Sequence, residues 1–191
     1  DEIALPPCDL IFNAIGDADR CRPSLERAAA IVRTASVPAI NDPQAVLRTG
    51  RAEVMARLEG LAGVRVPRTR SFPRTELTAQ ALAAAGFTFP LLLRAPGYHT
   101  GEHFVRVEDA AGLPAALAPL PGRDVLAIAY LDARGADGAF RKYRAISAGG
   151  TLFPVHLAVA PQWKVHYFTS DMAERADHRA EEAAFLADMA A

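Results

Sequence analysis

The stretch Phe140-Arg-Lys-Tyr-Arg-Ala-Ile-Ser147, then Gly149-Gly150, then Thr151-Leu-Phe-Pro-Val-His-Leu-Ala-Val159 leaves the chain little choice of fold. Charged side chains alternate with apolar or aromatic ones before the glycines, and a run of strand-forming residues follows them. A glycine pair between two such runs supplies the positive φ angles of a tight hairpin turn, so this part of the chain is expected to be antiparallel. Successive side chains of a strand point to opposite faces. Arg141 therefore shares a face with Tyr143, and Lys142 shares the other with Arg144.

A second strand–loop–strand unit lies upstream. Leu91 to Leu93 form a short apolar run ending in Arg94, a loop follows with Pro96, Gly97 and Gly101, and Phe104, Val105 and Val107 make a second run around Arg106. A buried strand that ends in an arginine calls for an anionic partner. Arg94, the glycine loop and the same-face pair Lys142 and Arg144 together describe a clamp suited to a polyphosphate, because charge-assisted hydrogen bonds hold such groups well. The plain alternative is that these cations are solvated charges at sheet edges.

The chain opens differently. Asp9–Ile15 reads as a buried strand, Ser24–Ala35 as a helix behind Pro23, and Val37–Ile40 as a second strand. Strand, helix and strand within about thirty residues form a βαβ unit with parallel pairing, whose ligands gather beyond the carboxyl ends of the strands. That rim carries Asn13, Asp17, Asp19 and Asn41. The same residues also read as a polar turn and a helix cap. Asn41-Asp42-Pro43 starts a helix, broken at Gly50, with another helix from Arg51 to Gly60. A strand over Val64–Thr69, a helix over Thr75–Ala85 stopped by Gly86, and a short helix from Glu108 interrupted by Pro114 follow. A strand over Asp124–Leu131 comes next, and after the Gly-Gly hairpin the pattern gives a strand over Gln162–Thr169 and a helix over Met172–Met189.

Composition narrows the function classes. With 191 residues, 51% of them hydrophobic, the chain has material for one sizeable core or two small ones. A net charge of −1 argues against a nucleic-acid binder or a partner of acidic membranes. No apolar run reaches the length of a transmembrane helix, and no signal peptide is visible, so the reading is a cytoplasmic protein. Cys8 and Cys21 have neither disulfide-framework nor zinc spacing. Of 21 basic residues only Lys142 and Lys164 are lysines, so an arginine is expected wherever a site elsewhere uses lysine.

Taken in order, these parts resemble the ATP-grasp superfamily, and most nearly the ATP-grasp module of bacterial tetratricopeptide-repeat-associated proteins. The resemblance rests on the βαβ unit, Asn41-Asp-Pro-Gln-Ala-Val-Leu-Arg-Thr-Gly-Arg51, Phe89-Pro-Leu-Leu-Leu-Arg94 with its glycine loop, and Asp124 to Asp132. It rests also on Phe140-Arg-Lys-Tyr-Arg144, Phe153-Pro-Val-His156 and Trp163-Lys-Val-His-Tyr167. It implies an α/β (α+β) fold in three parts: a pre-ATP-grasp βαβ unit over 1–42, a subdomain with the glycine loop over 43–131, and a partial second subdomain over 132–191.

The resemblance also implies roles. Arg51 and Arg94 would contact ATP phosphates, the loop containing Gly97, His99 and Gly101 would close over them, and Lys142 would assist. Backbone groups of Tyr130 and Leu131 would meet the adenine. Arg144 would face the transferred phosphate, with His156 and Lys164 beside the acyl-phosphate site and Asn13, Asp17 and Asn41 helping to hold an acceptor. The activity implied is ATP-dependent ligation of a carboxylate to an amine, both small molecules, with magnesium; a non-catalytic nucleotide-binding or scaffolding module is the alternative. The chain departs from the pattern in three ways. Ala129 stands where many relatives have Glu, arginine replaces lysine at the first two phosphate positions, and the late strands with metal-binding carboxylates are expected beyond Ala191, in other domains of a longer chain.

Overall fold

A computed structural model describes residues 6–189. The chain divides into two compact units, Asp1–Tyr130 and Leu131–Ala191.

The first unit opens with a short parallel pair, β1 (Ile11–Phe12) and β2 (Ala39–Ile40), joined through helix α1 (Arg22–Thr34). Pro23 sits in the first turn of α1, where its missing N–H costs nothing. Leu25 and Ala29 form the buried stripe of this helix. The βαβ topology and parallel pairing match the sequence reading. The buried seven-residue strand does not, since β1 spans two residues and Phe12 is 64% exposed. Two paired strands cannot cover both of their faces, so the apolar run stays partly in solvent.

Asp42 caps α2 (Pro43–Val46), its side chain accepting from the Gln44 N–H. A 3-10 turn then leads to Gly50 and to α3 (Arg51–Leu58). The remaining strands of this unit make one antiparallel sheet in the order β3-β6-β4-β5, from β3 (Thr69–Pro73), β4 (Leu91–Arg94), β5 (Phe104–Val107) and β6 (Asp124–Ala129). One face carries Phe72, Leu91, Leu93, Val107, Val125 and Ala127, which pack with Leu82 of α4 (Ala79–Ala84) and Leu113 of α5 (Leu113–Leu117). Each fully buried Leu of this kind contributes about 1.5–3 kcal/mol.

Three expectations are corrected here. The strand read over Val64–Thr69 begins only at Thr69 and runs to Pro73. It is an edge strand with Phe72 as its buried residue, so it lacks the apolar run of a central strand, and proline is tolerated at its end. The helix expected over Thr75–Ala85 is shorter: a 3-10 turn covers Arg74–Glu76, and Thr78 then caps α4 through the Ala81 N–H. Pro114 opens α5 rather than interrupting a helix from Glu108. Arg74 donates to the carbonyls of Leu117, Ala118 and Leu120, and so satisfies acceptors that α5 would otherwise leave bare.

The second unit is a long hairpin with a helix. β7 (Phe140–Ala148) and β8 (Thr151–Ala160) pair antiparallel around Gly149-Gly150, both glycines at positive φ, with a bulge between Arg144 and Ala145. Leu157, Val159 and Met172 form the core of this unit, with Phe185 of α6 (Ala176–Ala187) against them. Gln162–Thr169 is not a strand: after Pro161 the chain bends and forms a 3-10 turn at Tyr167–Thr169. The final helix begins at Ala176, four residues later than expected. Among the described residues, no helix is long and apolar enough to cross a membrane.

Candidate functional site

Three segments of the first unit converge: the turn after β1, the start of α3, and the loop that leaves β4. The turn is pinned by Asp17. Its side chain accepts from the Arg20 N–H at 2.9 Å and its carbonyl from the Cys21 N–H at 2.9 Å. This local bonding fixes a backbone that carries Asp19 toward α3. There the Asp19 carboxylate accepts from the Arg51 N–H at 3.2 Å and pairs with the Arg51 guanidinium. A Cβ at Gly50 would lie 3.0 Å from the Asp19 carboxylate and would push aside the end of the Glu53 side chain.

Arg94 closes β4 and turns into the same region. Its Nη2 donates to the Tyr98 carbonyl at 2.6 Å, and its guanidinium carbon lies 5.3 Å from the centroid of the Phe104 ring. Its Nε is buried and makes no hydrogen bond. Burial holds the Arg94 pKa below the ordinary arginine value. The Arg51 cation adds to that depression, while Asp19 and Asp17 oppose it. Four charged groups from three separate segments therefore share one field.

The loop that follows is bent by residues at positive φ: Gly97, Thr100, Gly101 and His103. Gly97 is buried against the Arg20 side chain, which a Cβ would meet at 3.3 Å. Ala95 N–H donates to the His103 carbonyl at 3.0 Å and closes the loop at its base, where the Tyr98 and His103 rings meet edge to face. His99 Nε2 lies 3.4 Å from an Asp17 carboxylate oxygen. Loop and turn are thus joined through His99 and through Arg20.

Of the residues singled out in the sequence, Arg51, Arg94, Gly97, His99 and Asp17 are brought together here, with Gly101 in the same loop. Asn13 and Asn41 are engaged elsewhere. Asn13 donates to the Ile15 and Asn41 carbonyls and accepts from the Ile15 N–H, while Asn41 donates to the Asn13 carbonyl. These bonds tie the ends of β1 and β2 together, and Asn41 adopts φ 57°. Tyr130 ends the first unit with its ring 4.2 Å from the Arg106 guanidinium carbon, and Leu131 begins the second.

In the second unit Arg144 pairs in register with His156, and Lys142 with Ala158. Burial, then the cations of Arg144 and Lys142, push the His156 pKa below the ordinary histidine value, and its Nδ1 is buried without a hydrogen bond. Arg141, on the other face, binds Asp137 and Glu181, while Tyr143 meets the Phe185 ring edge to face. Lys164 lies half-buried in the segment before the 3-10 turn. Sequence reasoning missed Arg20 as the surface that receives Gly97 and missed the union of Asp19 with Arg51. A turn carboxylate 32 residues from its partner leaves no spacing signal.

Among the described residues, no group of three or more His, Cys, Asp or Glu side chains is disposed to hold a metal ion. No protein-family model matches the sequence, and no curated protein does. Solved structures do. The chain is similar to a VanG D-Ala:D-Ser ligase from Enterococcus faecalis, at 18% identity and a TM-score of 0.54, over 81% of this chain and 43% of that one. It is similar also to a carboxyaminoimidazole ribonucleotide synthase from Aspergillus clavatus complexed with ATP, at 16% identity and a TM-score of 0.51, over 82% of this chain and 38% of that one. An N5-carboxyaminoimidazole synthetase from Staphylococcus aureus complexed with ADP matches at 14% identity and a TM-score of 0.51, over 94% of this chain and 47% of that one. The chain thus spans less than half the length of each of these proteins. At such identities the likeness shows the fold alone, and that fold is the ATP-grasp-like α/β arrangement.

Proposed function

We propose that the chain is an ATP-binding ATP-grasp module, nearest in kind to those associated with tetratricopeptide repeats. In its intact parent it would act as a carboxylate–amine ligase: a carboxylate oxygen takes the γ-phosphoryl group and ADP leaves, after which an amine displaces phosphate and a C–N bond forms. The observation that carries the reading is the convergence of Arg51, Arg94 and the Gly97–Gly101 loop, with Arg94 Nε buried and lacking an acceptor. Triphosphate oxygens would supply that acceptor, and phosphoryl transfer asks little of a protein beyond positioning and electrostatics. In the second unit the same reading gives Arg144 and Lys142 phosphate-facing roles and His156 and Lys164 roles toward the acceptor.

Magnesium has no comparable support among the described residues, whose carboxylates offer no three-donor cluster. A second reading is that the module binds nucleotide without turning it over.

The test is nucleotide affinity. Mg-ATP is expected to raise the Tm of the parent protein, and Arg94→Ala is expected to weaken ATP binding at least tenfold, about 1.4 kcal/mol. An Arg94→Ala protein with an unchanged Kd would remove Arg94 from the site. Amine-dependent release of phosphate from ATP, screened against pools of small carboxylates, separates the ligase from the binding module.

A further inference from the structure

Asp19 holds a position that an anionic ligand would compete for. Its carboxylate caps the first N–H of α3 and pairs with the Arg51 guanidinium, so the positive end of an eight-residue helix and a fixed cation converge on it. The Asp19 side chain is only 15% exposed, so water does little to satisfy it. Arg94 lies in the same field with an Nε that Asp19 leaves unbonded. Asp17, two residues earlier, is committed to its own turn and to His99. Its task is to hold the turn, whereas the bonds of Asp19 run to Arg51.

Resting on the phosphate-binding reading above, we propose that Asp19 is an internal anion that a ligand phosphate displaces from Arg51, making it the residue that selects polyphosphates over weaker anions. A single carboxylate offers one charge and reaches Arg51 without bonding Arg94 Nε. A polyphosphate brings several charges and enough oxygens to engage both arginines and the vacated helix N–H. A monoanion replaces Asp19 with nothing better than itself, so it gains little. The released Asp19 moves toward solvent on its turn, whose anchor through Asp17 is undisturbed.

Titration calorimetry of the full chain with inorganic tripolyphosphate and with acetate tests this in the wild type, Asp19→Asn and Asp124→Asn, the last an exposed carboxylate on β6 outside the site. Asp19→Asn is expected to bind tripolyphosphate about tenfold more tightly than wild type and to gain measurable acetate binding; Asp124→Asn is expected to do neither. Equal or weaker tripolyphosphate binding by Asp19→Asn, or its absence, overturns the proposal. Should Asp19→Asn fail to fold, the wild type alone decides the matter by NMR. The Asp19 carboxyl carbon and the Arg51 amide are expected to shift together with one tripolyphosphate midpoint, and binding that leaves both unmoved overturns the proposal equally. ATP run in parallel keeps the two readings apart. ATP no tighter than tripolyphosphate sinks the nucleotide reading and leaves Asp19 its role, whereas ATP bound equally by wild type and Asp19→Asn sinks the role of Asp19 alone.

Discussion

Single side chains in this protein owe their properties to neighbours distant in sequence. His156 is the clearest titrating case. Burial and the cations of Arg144 and Lys142 lower its pKa below 6.5, so the unfolded chain takes up a proton that the folded chain refuses. Unfolding is therefore favoured where the unfolded histidine is charged and the folded one is not. The His156 contribution is fully present above about pH 6.5 and is lost as pH falls from there through the folded value. Thermal unfolding from pH 7.5 to 5 is expected to show a steeper loss of Tm below pH 6.5 in wild type than in His156→Gln. Parallel curves would mean that His156 senses no such burial.

Elements are joined by arginines as much as by apolar contact. Arg141 of β7 binds Asp137 in the preceding turn and Glu181 of α6, and these partners raise its pKa while Arg141 holds the Asp137 carboxyl well below its usual range. The Asp137 end is half in water and is worth little. The Glu181 end is better shielded, and loss of such charged hydrogen bonds costs more. Arg141→Ala is expected to lower the stability of the second unit by about 1–2 kcal/mol. Trp163, the one tryptophan in the sequence, reports that unfolding by its fluorescence in urea; an unshifted midpoint would mean that the Arg141 pairs add nothing to the hold on α6.

The same scale shows what a sequence makes legible. The Gly149-Gly150 hairpin and the caps at Asp42 and Gly86 were readable because turn chemistry is local: a glycine at positive φ or a carboxylate on a nearby N–H announces itself within a few residues. The position of β3 is not legible in the sequence, because an edge strand buries little beyond Phe72 and leaves no periodicity. Gln162–Thr169 looked like a strand because aromatic residues favour strands, yet Trp163 and Tyr167 lie in a bent segment that folds back on the hairpin core. In the candidate site, Arg51 and Arg94 were legible as cations at the ends of elements. Their sharing of Asp19 was not, since it depends on a tertiary approach across 32 residues.

At the scale of the whole chain, the two units have separate cores. That of the first is the face of the four-stranded sheet with α4 and α5, and Leu93 lies at its centre, fully buried. Leu93→Ala is expected to cost about 2–5 kcal/mol, the lost burial plus the cavity left behind. Hydrogen exchange of the β4 and β6 amides would report it, and exchange no faster than wild type would place the core elsewhere. Because β4 also delivers Arg94, the same substitution tests whether the site depends on the rigidity of the strand that carries it.

The division after Tyr130 has a practical consequence. Both cysteines, Cys8 and Cys21, precede it, and both lysines, Lys142 and Lys164, follow it. Thiol-directed and amine-directed dyes therefore address side chains of different units. The native sequence already carries the two orthogonal handles of an energy-transfer ruler, which could follow in solution how the spacing of the halves responds when nucleotide is added.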